Sequence, residues 1–188
     1  MTAAKQRVSV EEYLANEARA EFKSEYVAGE VYAMAGGTGR HSAIIQNIAG
    51  VLKTALTGKP CHGFVEWLLR IEKDGPFFYP DLLVACGDRT QLLDASFCEE
   101  ARVVIEVRSD GTERYDRGDK LLAYRKLASL QEYVLVSQNR RLIEVFRRAQ
   151  LGWIHLTFEL NEVAELASID VKLPLELVYD DTGVTNGA

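Results

Sequence analysis

The sequence predicts one α/β domain of the α+β kind, a mixed β-sheet flanked by helices, and three observations lead there. Hydrophobic residues make up 47% of the 188, enough for a single core at this length. Stretches with helical and with strand periodicity are interspersed along the chain. No repeat, low-complexity linker or shift in composition marks a boundary, which makes residues 1–180 one unit and 181–188 a disordered tail.

The elements follow in order. Ser9 with Glu12 forms a capping box, and Val8 can staple onto Tyr13, so a first helix is expected over 10–20. FKSEYV and EVYAM alternate on either side of Ala28-Gly29 and predict a hairpin with Glu25 and Glu30 flanking its turn. In HSAIIQNIAGVLKTAL the residues Ile44, Ile45, Ile48, Leu52 and Leu56 recur at helical spacing, and Gly58 follows as a stop. CHGFVEWLLRIE, FFYPDLLVAC and ARVVIEV read as strands, the last two separated by a polar connection over 88–100. DRGDKLLAYRKLA reads as a helix with Asp116 as its N-cap. EYVLVS and RLIEVFRR form a hairpin over Gln138-Asn139, strands follow near 153–158 and 169–173, and a short helix follows Pro174.

Composition removes several classes of function. No run of about 18 apolar residues occurs, and the N-terminus MTAAKQRVSVEEYLANE is charged where a signal peptide would be apolar, so a cytoplasmic protein with no membrane segment is expected. Cys61, Cys86 and Cys98 have no metal-knuckle spacing and are read as buried or incidental thiols. The net charge of −6 argues against a surface that grips nucleic acid everywhere. That average hides a basic stretch, because residues 102–148 carry eleven Lys/Arg against seven Asp/Glu.

The same stretch holds the chemistry. Glu106 lies in VVIEV, a run expected to be buried, and a buried carboxylate needs a partner or a metal. Strand alternation sends Glu106 and Arg108 to one face. Asp81 follows Pro80 at the head of LLVAC, a strand start that tolerates proline, and so reaches toward the same region. Asp81, Glu106 and the Val107 carbonyl suit a hard cation such as Mg²⁺, with Mn²⁺ as a substitute, which binds through one or two carboxylates and keeps positions for water and phosphate. Lys120 and Tyr124, one turn apart, share a helix face, and the lysine could offset charge developing on a phosphodiester.

YPD, then a strand ending E-V-x-S, then D-R-G-x-K-L-x-x-Y resembles the bacterial restriction-endonuclease-like family of the PD-(D/E)XK nuclease superfamily, and EEYL, EYVAGEVYAMAG, RHS and EYVLV extend the resemblance over nearly the whole chain. The resemblance implies a restriction-endonuclease-like core, Asp81 and Glu106 as the acidic metal pair, DNA as substrate and a homodimer. It also implies that Glu25 and Glu30 are acidic site positions, where a further carboxylate could complete the metal site or accept a proton. Arg108 stands where the superfamily has its lysine, a role the family gives to the helix residue, here Lys120. The family's S-P-S-T loop is Ser109-Asp110-Gly111-Thr112 in this chain.

Each residue also has a plainer reading. Asp81 could be a turn residue, Glu106 the partner of Arg108 in an ion pair, Lys120 a solvated helix lysine and Tyr124 a core aromatic. GGTGRHS lacks the spacing of a phosphate loop, although Arg40 and His41 at a helix start could hold a nucleic-acid phosphate or serve in capping. His62 and His155 match no ligand pattern and are read as structural. The sequence thus supports a Mg²⁺-dependent endonuclease first. A catalytically inactive module of the same fold, binding nucleic acid or a protein partner, stands second, and a protein assembling through an edge strand third.

Overall fold

Twelve strands and five α-helices are laid out in the computed structural model, which describes residues 7–34, 36–108 and 116–185. Ser9 caps α1 (Val10–Glu17) by accepting from the Glu12 amide, as its capping box requires, though the helix ends before residue 20. The hairpin of β1 (Ser24–Val27) and β2 (Glu30–Ala33) turns over Ala28 and Gly29, at φ 51° and 87°. Thr38 caps α2 (Gly39–Ala55), which buries Ile44, Ile45, Ile48 and Leu52 at the spacing read from the sequence.

Of the three strands expected in the middle, the first two are each broken in two. β3 (Cys61–Val65) and β4 (Leu69–Arg70) come from the first, β5 (Phe77–Phe78) and β6 (Leu82–Cys86) from the second, where Pro80 lacks the N–H a continuous ladder needs. The polar connection that follows forms α3 (Arg89–Asp94), capped by Asp88. After β7 (Ala101–Arg108), the expected helix is instead a π-helical turn, Asp116–Lys120, leading into α4 (Leu121–Tyr124). Asp116 is therefore no N-cap but the buried first residue of that turn. The Ser109-Asp110-Gly111-Thr112 loop lies outside the described residues.

The chain closes with β8 (Glu132–Ser137), β9 (Leu142–Ala149), β10 (Gly152–Glu159), β11 (Val163–Leu166), β12 (Val171–Pro174) and α5 (Leu175–Val178). β11 was not expected from the sequence. Of residues 181–188, expected as a tail, Val184 is 5% exposed against the core and Arg141 donates to its carbonyl, while 186–188 lie outside the described residues.

The main sheet has the order β10-β9-β8-β7-β6-β3 and is mixed, since β7 and β8 run parallel while its other pairs are antiparallel. Two smaller sheets, β2-β1-β5-β4 and β11-β12, complete it. On one face Val103, Ile105 and Val107 pack with α2, α5 and the β11–β12 pair. On the other, Val104 packs with Leu83, Tyr133, Leu135 and Tyr124. Alternation along β7 sends Glu106 and Arg108 to this second face.

The cysteine reading needs correction. Cys61 and Cys86 stand directly opposite one another on β3 and β6 and form a disulfide, and Cys98 is a free, buried thiol. They are 25 positions apart, and only the strand pairing makes them neighbours. Among the described residues no helix is long and apolar enough to cross a membrane.

Candidate active site

Antiparallel pairing of β6 and β7 sets Leu82 against Ile105, which puts Asp81, one residue earlier, beside Glu106, one residue later. Both residues are buried, at 8% and 5% exposure. Asp81 Oδ2 accepts from the Val107 amide at 2.6 Å and lies 3.2 Å from His41 Nε2. Glu106 Oε1 accepts from Lys120 Nζ at 3.1 Å and from the Tyr124 hydroxyl at 2.8 Å. Lys120 Nζ also lies 3.0 Å from Glu25 Oε1, whose other partner is the Tyr79 amide at 3.3 Å. Among the described residues, each of the three carboxylates has its hydrogen bonds on one oxygen only.

The charges constrain each other. Burial drives the Glu106 carboxyl above its ordinary pKa; Lys120 opposes that, and Asp81, Asp116 and Glu25 add to it. Burial alone would lower Lys120, but Glu106, Glu25 and Asp116 outweigh it and keep it an ammonium. The Asp81 hydrogen bond pushes the His41 imidazole up, against burial. Tyr124, raised chiefly by burial, stays a neutral phenol and hence a donor.

Local sequence explains how these groups arrive. The first turn of α2 delivers His41, and at Gly37 a Cβ would come within 2.6 Å of its Nδ1, so the glycine leaves room for the ring. The π-helical turn delivers Lys120, with its first residue tied to the sheet through the Tyr133 hydroxyl on the Asp116 carbonyl at 3.2 Å.

Residues 10–176 match the Uma2 family, described as "putative restriction endonuclease". The chain belongs to the Uma2 family. An uncharacterized protein of Synechocystis sp. is 33% identical over 92% of both chains, and another from the same organism is 28% identical over 86% of this chain and 93% of its own. The fold is also that of a crystal structure described as a putative nuclease of the DUF820 group from Anabaena variabilis, with a TM-score of 0.76 at 20% identity, covering 92% of this chain and 97% of that one.

Within this Uma2 chain, the β6–β7 register sets two contacting groups side by side, Asp81 with His41 and Glu106 with Lys120, Tyr124 and Glu25. The Val107 backbone joins the first by donating its amide to Asp81. Glu30 accepts from Tyr32 at 2.7 Å, and Tyr32 stands directly opposite Glu25 in the hairpin. Arg108 turns away from Glu106 and donates to Glu144 at 2.8 Å. His41, expected to cap or to hold a phosphate, donates its amide to the Thr38 side chain in the α2 cap, and its ring faces Asp81. Glu144 was not singled out, although a lone carboxylate in LIEVF carries the same signal as Glu106 in VVIEV.

Proposed function

We propose that this protein is a metal-dependent endonuclease that hydrolyses phosphodiester bonds of DNA. What carries the reading is the division of labour on the carboxylates. Protein donors hold Asp81 by Oδ2 and Glu106 by Oε1, and both are fixed side by side on adjacent strands. The second oxygens suit a hard cation, which takes oxygen ligands through one or two carboxylates. Asp81 and Glu106 would hold Mg²⁺, or Mn²⁺ in its place, with Glu25 a further carboxylate within reach of Lys120. When bound, the cation supplies Lewis acidity toward a phosphate and raises the acidity of water.

The chain's own residues do the rest. His41 and the Val107 amide fix the Asp81 carboxylate, and Tyr124 and Lys120 fix Glu106. Lys120, charged and 7% exposed, sets a positive charge where a phosphodiester would accumulate negative charge. A second reading, a module that binds nucleic acid or a protein without cleaving, draws on one observation: among the described residues no group of three or more His, Cys, Asp or Glu side chains is arranged to hold a metal ion.

Titration calorimetry with Mg²⁺ and Mn²⁺ separates the two, comparing the native chain with folded Asp81→Asn and Glu106→Gln. The nuclease reading expects binding in the native chain, binding lost in both variants, and loss of plasmid DNA cleavage in Asp81→Ala and Glu106→Ala. Cleavage by a folded double variant, or no metal binding even with DNA present, sinks it.

A further inference from the structure

Glu106, Leu135 and Glu144 stand in one transverse row across β7, β8 and β9, so Glu144 sits two strand spacings, about 10 Å, from Glu106 on the same face of the sheet. The π-helical turn Asp116–Lys120 spans the gap between these two acids. At one end Arg117 grips both oxygens of Glu144, through Nη1 on Oε1 at 2.8 Å and Nη2 on Oε2. At the other end Lys120 Nζ lies 3.1 Å from Glu106 and 3.0 Å from Glu25. The Tyr133 hydroxyl, from β8, donates to the Asp116 carbonyl at 3.2 Å.

These supports differ in what they can fix. Glu106 and Glu25 belong to different sheets, and the ammonium between them is a point charge on a flexible four-carbon stem. The backbone that carries it therefore decides where it stands. A guanidinium on two carboxylate oxygens, by contrast, fixes distance and plane together. Glu144 is itself firmly held: it is 3% exposed, accepts from Arg108 at 2.8 Å and lies 2.8 Å from His155 Nε2. These three bases set it outside the candidate metal site, and Arg117 is its link to the segment that carries Lys120.

We propose that Glu144 is a positioning residue which, through Arg117, holds the π-helical turn so that the Lys120 ammonium stands between Glu106 and Glu25. The proposal rests on the nuclease reading for what Lys120 then does to a phosphodiester. It also gives Arg108 a task away from the substrate: as a buried cation on Glu144 Oε2, it steadies the carboxylate on which Arg117 is planted.

Two measurements on the full-length chain test this. The first is a double-mutant cycle on plasmid DNA cleavage at saturating Mg²⁺. Arg117→Ala leaves the buried Arg108–Glu144 pair intact. It should lower the cleavage rate constant by up to about 10²-fold, the scale for a misplaced reacting group, and have no further effect in a Lys120→Ala background. Glu144→Gln, which loses the charged two-point grip, should show the same dependence on Lys120. Losses that multiply in the double variants overturn the proposal, since Arg117 and Glu144 would then act independently of Lys120. The second measurement is acylation of lysines by acetic anhydride, mapped by mass spectrometry. Lys120, 7% exposed, should be acylated several-fold faster in folded Arg117→Ala than in the native chain, with the exposed Lys53 as an unchanged reference. Unchanged labelling of Lys120 overturns the proposal even where cleavage falls. If the native chain cleaves no DNA, the nuclease reading fails, and the labelling alone decides whether Glu144 positions Lys120.

Discussion

Glu106 and Glu132 lie on neighbouring parallel strands, β7 and β8, and both are buried, at 5% and 0% exposure, yet their surroundings differ in kind. Both oxygens of Glu132 are satisfied. Oε1 accepts from Arg147 Nε at 2.8 Å and the Ala167 amide at 3.0 Å, and Oε2 accepts from the Ser168 amide at 3.1 Å and hydroxyl at 2.6 Å. Ala167 and Ser168 lie in the turn joining β11 to β12, so this glutamate fastens that pair to the main sheet. Glu106 has both its donors on Oε1 and three other carboxylates raising its pKa. Under the proposed function, the acid saturated with donors serves the fold, and the one held on a single side and crowded by other acids serves chemistry.

That contrast can be tested by changing each residue in turn. Glu132→Ala leaves the part-buried Arg147 guanidinium, two amides and the Ser168 hydroxyl without their acceptor, and should lower unfolding stability by about 3 kcal/mol. Denaturant titration reads this directly, while Mg²⁺ affinity of the folded fraction should be unchanged. Glu106→Gln should do the reverse: metal binding disappears and stability is equal to or above native, because burial and the neighbouring acids already disfavour its charge. Equal loss of stability in both variants would erase the distinction.

Lys120→Ala comes next in size. Removing a cation that two carboxylates hold in place should cut the cleavage rate constant by about 10²–10³, read under saturating metal and DNA. Lys120→Arg should recover little, since the ammonium sits 3.0 Å from Glu25 and 3.1 Å from Glu106 in a pocket that leaves it 7% exposed. His41→Ala is smaller again. Loss of a group that orients a metal ligand costs about 10–100-fold in metal affinity, and calorimetry should show that loss without the abolition expected of Asp81→Asn.

Glu106 could be read from the sequence because VVIEV places one acid in an apolar alternation, and Asp81 because proline before it marks a strand start. Lys120 and Tyr124 came from helical spacing, although the turn delivering Lys120 is π-helical, a distinction that periodicity does not make. What stayed hidden depends on pairing between distant segments. Arg108 meets Glu144 across β8, His41 meets Asp81 from another element, and Cys61 meets Cys86 across a strand pair. Alternation tells which face a side chain takes but not which strand lies beside it, so the partners of Glu25 and Arg108 needed the sheet order.

Tyr124→Phe should give the smallest effect and the sharpest view of the pocket. The ring is fully buried between Phe78 and Tyr133, with centroids 5.3 and 5.1 Å away, and phenylalanine keeps that packing. Only the hydroxyl on Glu106 Oε1 is lost, and Lys120 remains on the same oxygen. The expected cost is about 1 kcal/mol, seen as a several-fold drop in Mg²⁺ affinity with the cleavage rate at saturating metal near native. The opposite split, with native metal affinity and a cleavage rate reduced a hundred-fold or more, would mean that the hydroxyl acts on the substrate. Tyr124 would then have to be moved from the support of Glu106 to the reacting groups themselves.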